Sequence, residues 1–234
     1  MDVDDRFYFR QLLSGRDFAV RNGLAAQMVN YVYLLGDRVT RECVIVDPAY
    51  AVDELLGLIE ADGMTLTGVL ATHYHPDHIG GSMMGFNVEG FTRLLERCAC
   101  PVHIHRGDAE FVQKVTGLAA SELTLRDGGD KVSAGAIEIE WMHTPGHTPG
   151  SCCFRVNGAL VAGDTLFLQG CGRTDLPGGD PAEMRRTLSQ RFSTLPEDTI
   201  IYPGHNYGGP KAPLSVLRKS NPVFDPRWAA QMLG

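Results

Sequence analysis

The 234-residue chain has no apolar run of membrane-spanning length, which excludes a transmembrane helix. Its first residues, Met1-Asp2-Val3-Asp4-Asp5, are acidic, so the basic start and apolar core of a secretory signal are missing. None of the six cysteines (Cys43, Cys98, Cys100, Cys152, Cys153 and Cys171) form a C-x-x-C pair. In a chain of this length without a secretion signal, free thiols are expected rather than a disulfide framework, and the cytoplasm is the expected compartment. An excess of positive charge is also missing, with 21 basic against 28 acidic residues. The net charge of −7 argues against nucleic acid or an anionic membrane surface as the main partner. Low-complexity segments and short-period repeats are absent too. What is there is the composition of an ordinary globular protein, 44% hydrophobic and 21% charged. The 27 glycines and 13 prolines imply many loops between short strands. The length suits one large domain or two small ones, and we take 1–234 as a single domain.

One stretch organises the rest: Thr72-His73-Tyr74-His75-Pro76-Asp77-His78-Ile79-Gly80-Gly81. It places three imidazoles and a carboxylate within six residues, directly after the apolar run Gly68-Val69-Leu70-Ala71, which reads as a buried strand. Pro76 is expected to forbid a regular helix, leaving these side chains on a loop at a strand end. His73 and His75 are two apart, so an extended backbone points both the same way. Asp77 and His78 follow the Pro76 bend and can aim elsewhere, a geometry that suits two adjacent metal ions. Imidazole with carboxylate suits zinc, iron or manganese. The bland alternative is a solvated histidine-rich loop.

Further along, Arg6 to Ser14 reads as an edge strand or lead-in. Met28 to Leu35 reads as a strand with Gly36-Asp37 as its turn, and Cys43 to Val46 as the hairpin partner. Residues 51–61 carry Val52, Leu55, Leu56 and Ile59 at helical spacing. Strands follow at 66–71 and Pro101 to His105, with a helix ending near Arg97 between them. Asp108 is placed to cap a helix running to about Val115. Ala136 to Met142 alternates as a half-buried strand. Asn157-Gly158, the preferred pair for a tight type I′ turn, joins two more. Cys152 and Cys153 should face opposite sides of the first of these. Pro181 to Leu195 is expected as one helix, and Thr199 to Tyr202 as the last strand. Four strand ends thus each deliver a ligand-type residue, at 69–78, 139–147, 160–164 and 200–205. A layered α/β sheet with its chemistry along one edge is the economical reading.

The later strand ends supply His147 in Thr144-Pro145-Gly146-His147, Asp164 in Ala162-Gly163-Asp164-Thr165, and His205 in Tyr202-Pro203-Gly204-His205. With these motifs the chain, from about Tyr31 to about Pro222, resembles the metallo-β-lactamase-fold superfamily. The resemblance implies an α/β four-layer αββα sandwich. It implies a first metal held by His73, His75 and His147, a second held by Asp77, His78 and His205, and Asp164 bridging both. Asp77 and Asp164 would then be the catalytic carboxylates, and the cofactor one or two ions of zinc or iron, with manganese also suitable. Asp164 counts against a true β-lactamase, and the chain has neither room nor charge for the nucleic-acid-processing branches. Two branches fit. Gly163-Asp164-Thr165-Leu166-Phe167 and Leu176-Pro177-Gly178-Gly179-Asp180 resemble glyoxalase II-like thioester hydrolases. Gly170-Cys171-Gly172-Arg173-Thr174-Asp175 and Tyr202-Pro203-Gly204-His205-Asn206-Tyr207 resemble persulfide dioxygenases, which would hold one iron by His73, His147 and Asp164. Only 29 residues follow His205. The helical C-terminal clamp of full-length glyoxalase II is therefore expected to be absent or much reduced. The expected partner is a small thiol-derived molecule, and a homodimer stays open.

Outside the constellation, Arg173 is either a carboxylate clamp for an acidic substrate or a structural partner of Asp175 or Asp180. Tyr207 lines the substrate mouth or packs its loop. Asp47 is placed to orient a metal-bound histidine. His103, His105 and His143 read as half-buried strand histidines, and Cys171 as a small packed residue.

Overall fold

The computed structural model describes residues 3–232. After a helical turn, α1 (Val3–Arg6), the first sheet begins with β1 (Phe7–Leu13) and, beyond α2 (Gly23–Met28), β2 (Tyr31–Asp37) and β3 (Glu42–Val46). Next come α3 (Val52–Ala61), β4 (Thr65–Leu70), α4 (Pro76–Ile79), a small hairpin of β5 (Gly81–Met83) and β6 (Phe86–Val88), and α5 (Phe91–Arg97). Then β7 (Val102–His105), α6 (Ala109–Thr116) and β8 (Leu123–Arg126) complete the first half. The second half holds β9 (Lys131–Ala134), β10 (Ile137–His143), β11 (Cys152–Val156), β12 (Ala159–Gly163), α7 (Pro181–Arg186), β13 (Ile200–Pro203), β14 (Ala212–Pro213), α8 (Leu214–Ser220) and α9 (Pro226–Met232). The sheets run β1-β2-β3-β4-β7-β8 and β14-β13-β12-β11-β10-β9.

Alternation along the strands sorts the side chains into three cores. Tyr31, Tyr33 and Leu35 of β2 turn inward and meet Ile139, Trp141 and Phe154 of the opposite sheet. Val32 and Leu34 turn outward against Leu55 and Ile59 of α3, Phe91 of α5 and Val112 of α6. On the far side, Leu160 and Ala162 of β12 meet Met184, Leu188 and Leu217. The layers are therefore α, β, β, α. Cys152 lies in the inter-sheet core and Cys153 in the outer one, on opposite faces as period two requires. All six cysteines are free. The Asn157-Gly158 turn has both residues at positive φ, 44° and 75°, as a type I′ turn needs.

Four readings need correction. Gly36 and Asp37 end β2 rather than turn it; Asp37 is buried and accepts from Arg6, so the strand runs on. Residues 28–30 precede the strand, because Val29 closes α2 in the left-handed region at φ 50°. Pro76 does not forbid a helix. It occupies the first position of the turn α4, where its missing N–H costs nothing. The segment 181–195 is not one regular helix. Past α7 it widens into a π-helical stretch, Thr187–Arg191, and ends in a 3₁₀ turn, Phe192–Thr194. Thr187 donates to the Pro145 carbonyl at 2.8 Å there, so the widened turn docks the loop that carries His147.

Strand direction positions the site. β3, β4 and β7 are parallel, as are β12 and β13, while β10 and β12 both pair antiparallel with β11. The C-terminal ends of β3, β4, β10, β12 and β13 therefore open onto one edge of the sandwich.

Candidate metal centre

At that edge the sequence-predicted residues meet. His73 follows β4 in a bend, His75 stands in extended backbone, and the α4 turn then aims Asp77 and His78 beside them. His147 arrives from the loop after β10, Asp164 from the end of β12 and His205 from the end of β13. Each of these last three follows a glycine, and packing explains it. A Cβ at Gly204 would overlap the Asp164 Oδ1, and one at Gly163 would press on Thr72. His73, His75, Asp77, His78, His147, Asp164 and His205 are all buried or nearly so.

Each imidazole presents one nitrogen to the centre while, in four of the five, a neighbour engages the other. The His205 Nδ1–H donates to the Met28 carbonyl at 2.7 Å, and the His147 Nδ1–H to the Arg173 carbonyl at 2.6 Å. The His78 Nδ1–H donates to Asp47 Oδ2 at 2.9 Å. The Thr72 hydroxyl gives its proton to Asp47 at 2.6 Å, so it accepts from His73 Nδ1 at 2.9 Å. When neutral, those four histidines turn their Nε2 lone pairs inward, that of His78 lying 3.2 Å from the Asn30 amide. His75 turns Nδ1 to the centre instead, 3.0 Å from His73 Nε2. Lone pairs that face each other repel unless a cation stands between them.

Spacing supports that reading. Neighbouring donors on a tetrahedral ion with bonds of about 2.0–2.1 Å stand about 3.3–3.4 Å apart. His78 Nε2 and His205 Nε2 are 3.2 Å apart, and Asp77 Oδ2 is 3.4 Å from His205 Nε2. Asp164 reaches both sides, with Oδ1 3.4 Å from His78 Nε2 and Oδ2 3.3 and 3.6 Å from the Nε2 atoms of His205 and His147. The Nε2 of His147 and the Oδ1 of Asp164 are buried without a hydrogen-bond partner. The sets His73–His75–His147 and Asp77–His78–His205 can each hold an ion. Asp47 lies close to His73 and His78, but the Thr72 N–H, the Thr72 hydroxyl and His78 already occupy its oxygens. It fixes His78 directly and His73 through the Thr72 hydroxyl, and holds φ 54° to do so.

The charges are interlocked. Burial works against ionised Asp77 and Asp164, yet the imidazoles of His78 and His205 outweigh it and hold both carboxyls well below the usual range. Burial likewise works against charged His78, but Asp164 and Asp77 raise it to about 9, and His205 follows in the same direction. His73 and His75 lack that balance. Burial and the neighbouring imidazoles push them down, His75 to about 4. Two carboxylates among five imidazoles thus attract cationic charge to the side of His78 and His205.

Sequence reasoning missed three contributors. Asn30 donates to Asp77 Oδ2 at 3.0 Å, and the Tyr50 hydroxyl, donating to Asn30 Oδ1 at 3.0 Å, fixes that orientation. An asparagine directly before an apolar strand was the available signal. The Met28 carbonyl is delivered by the Val29 turn. Asp108 caps nothing with its side chain. Its buried carboxylate accepts from the N–H of Tyr74 (3.1 Å), the N–H of Gly150 (2.6 Å) and the Thr148 hydroxyl (2.8 Å), joining the two ligand loops. Burial pushes its carboxyl up to about 6 against those three donors.

A cavity of about 700 Å³ opens over the cluster. Arg173 and Tyr207 border it. Arg173 pairs with Asp175 at 2.7 Å on the surface, and Tyr207 stacks on His205 with ring centroids 4.9 Å apart. Cys171 also borders the cavity, half-buried against the outer core.

A family model described as "Metallo-beta-lactamase superfamily" matches residues 27–205, a span that contains all seven of these histidines and aspartates. The chain belongs to the metallo-beta-lactamase superfamily. Its αββα layers are that fold. It is similar to the mitochondrial persulfide dioxygenase ETHE1 of Homo sapiens, with 34% identity over 200 residues, 84% of this chain and 71% of that protein. It is also similar to the hydroxyacylglutathione hydrolase of a Synechococcus species, with 36% identity over 192 residues, 79% and 67% of the two chains. The crystal structure of ETHE1 from Myxococcus xanthus superposes with a TM-score of 0.73 at 30% identity, covering 95% of this chain and 85% of that one. The superfamily member described here is thus a metal-dependent enzyme with relatives of two different activities. No helix among the described residues is long and apolar enough to cross a membrane.

Proposed function

We propose that the protein is a metal-dependent hydrolase acting on a thioester of a small thiol, in the manner of hydroxyacylglutathione hydrolases. The observation that carries the reading is that two complete donor sets share one carboxylate, Asp164, across 3.3–3.6 Å contacts. His73, His75 and His147 would hold one ion, Asp77, His78 and His205 the other, with Asp164 between them. The donors suit zinc, iron or manganese. When bound, two such ions supply a water of near-neutral pKa as nucleophile and polarise the scissile carbonyl. The protein's own groups fix the donors. Asn30 holds Asp77, Asp47 holds His78, and Asp108 ties the loop of His75 to the loop of His147. Arg173 and Tyr207 serve as substrate contacts at the cavity wall, in a cytoplasmic enzyme whose partner is this small molecule. Arg173→Ala should raise KM more than it lowers kcat, since it removes binding common to ground and transition states.

A second reading, a one-iron dioxygenase of a thiol persulfide, is favoured by the similarity to the two ETHE1 proteins. It would use His73, His147 and Asp164 alone. Asp77→Ala separates the two. In the hydrolase it should lower metal content by about one ion per chain and remove most thioester hydrolysis. In the dioxygenase Asp77 is only a supporting group, and its loss should cost about 10–100-fold or less. Persulfide-dependent oxygen uptake by a wild-type protein holding one iron would overturn the hydrolase assignment.

A further inference from the structure

The wall of the cavity is uneven. Apart from the candidate ligands, its polar side chains are Tyr74, Gln169, Cys171, Arg173 and the Tyr207 hydroxyl. The Tyr74 hydroxyl is engaged by the Pro177 carbonyl at 2.5 Å, and the Arg173 guanidinium by Asp175. The opposing character comes from Met28, Met83, Met84, Phe167, Leu176 and Tyr207. Met83 and Met84 sit on the β5–β6 hairpin, which directly follows the α4 turn that carries Asp77 and His78. Met84, at the cavity wall, is 77% exposed. Large apolar side chains held in water at the mouth of a cavity are favourable only if something apolar covers them in use. Methionines suit an occupant of variable length, because their side chains are unbranched and adapt to it.

From this wall we infer that the site takes a thioester whose acyl group is an apolar chain of several carbons, laid against the methionine hairpin, rather than a short polar acyl group. The inference rests on the hydrolase reading only for the bond that is cut. The volume, about 700 Å³, is in the range that encloses most of a ligand larger than a two- or three-carbon acyl thioester. Along Met83, Met84, Phe167 and Leu176 a hydroxylated short acyl group would find no hydrogen-bonding side chain, Gln169 being a polar one elsewhere on the wall, whereas each methylene of an alkyl chain would lose contact with water. The anionic end of the thiol carrier would then point to Arg173, the one lysine or arginine among the described residues of the wall.

Binding of thioethers tests the idea without either reaction, since a thioether can be neither hydrolysed as a thioester nor oxidised as a persulfide. S-methyl, S-butyl and S-hexyl N-acetylcysteamine are titrated calorimetrically into the metal-loaded protein. Affinity should rise about two- to fourfold per methylene, so about 30-fold or more from methyl to hexyl. In Met83→Ser/Met84→Ser, checked for unchanged metal content and circular dichroism, the hexyl compound should fall to within about threefold of the methyl compound. Equal affinities across the wild-type series would overturn the inference, as would a chain-length gain that the double variant keeps. Hydrolysis of acetyl and hexanoyl thioesters is then measured. A binding gain with no hydrolysis of either leaves the apolar site standing and removes the hydrolase. Hydrolysis of both with flat binding does the reverse.

Discussion

Two groups of buried or half-buried histidines lie in this molecule, and they differ in what surrounds them rather than in depth. His73, His75, His78, His147 and His205 converge with Asp77 and Asp164. His103 and His105 of β7 and His143 of β10 form the other group, where His105 stacks on His143 with centroids 3.9 Å apart. In this second group each ring is satisfied by ordinary neighbours. His105 Nδ1 accepts from the Gly107 N–H, His143 Nε2–H donates to the Pro149 carbonyl, and His103 Nδ1 accepts from Arg126. The nearby carboxylate, Asp127, is exposed and paired with Arg106. Burial therefore acts first and pushes His103 and His105 down to about 4, with His143 lowered too. In the first group burial acts the same way, but two buried carboxylates reverse it at His78 and His205. A set of buried imidazoles becomes a cation site when their lone pairs converge and carboxylates share the space; otherwise it is neutral packing.

The sharpest way to break this contrast is to remove the carboxylate that both donor sets touch. Asp164→Ala should abolish stable binding at both positions, lower metal content toward zero by elemental analysis, and cost activity more than about 100-fold, beyond the loss expected of a mere supporting group. Retention of two ions per chain would show that the imidazoles alone suffice and that the contrast is misdrawn.

Asp108 sits at the border of the two groups, and its removal is the next largest effect. It holds the Tyr74 N–H between His73 and His75, and it holds Thr148 and Gly150 beside the carbonyl that His143 binds. Asp108→Ala leaves two buried N–H groups without an acceptor, at about 1–3 kcal/mol each. We expect urea unfolding to report a loss of about 2–4 kcal/mol, with metal affinity down about 10–100-fold. A stability loss with unchanged metal affinity would mean that the ligand loops hold their geometry without it.

The contrast also shows what could be read in advance. The convergence of His73, His75, Asp77 and His78 was legible because they are close in sequence and the β4 strand ends beside them. Cys152, Cys153 and Asn157-Gly158 were legible for the same reason: period two and turn chemistry are local. Asn30, the Met28 carbonyl and the true role of Asp108 were not. Asn30 meets His205 through an isolated bridge, 175 residues away in the chain, so although its place before an apolar strand is local, its partners are not. Pro76 misled because a proline that blocks a helix interior also favours a helix start, and only the turn itself decides which applies. The two histidine groups look alike in sequence for the related reason that convergence is a property of the assembled edge.

The smallest effect belongs to His105, and it tests the neutral side of the contrast. The ring contributes one weak acceptor to the Gly107 N–H at 3.1 Å and a stacking face to His143, and Phe keeps the face. His105→Phe should leave metal content and activity within about twofold and stability at pH 7.5 within about 1 kcal/mol. Its signature is in acid. His105 is pushed below its usual value first by burial and then by the neighbouring His143, with Arg106 and Arg191 adding to the fall and Asp127 opposing it. The unfolded chain therefore binds a proton near pH 6.5 that the folded chain refuses until about pH 4. This term leaves stability unaffected above pH 6.5, lowers it as pH falls from 6.5 towards 4, and levels off below that. Phe removes the term, so the stability advantage of the wild type should shrink, or invert, between pH 6.5 and pH 4 when the two proteins are unfolded in urea side by side. Parallel pH profiles would mean that His105 keeps its proton in the fold. It would then need a carboxylate partner that its surroundings do not provide, and the line drawn between the two histidine groups would fail at that residue.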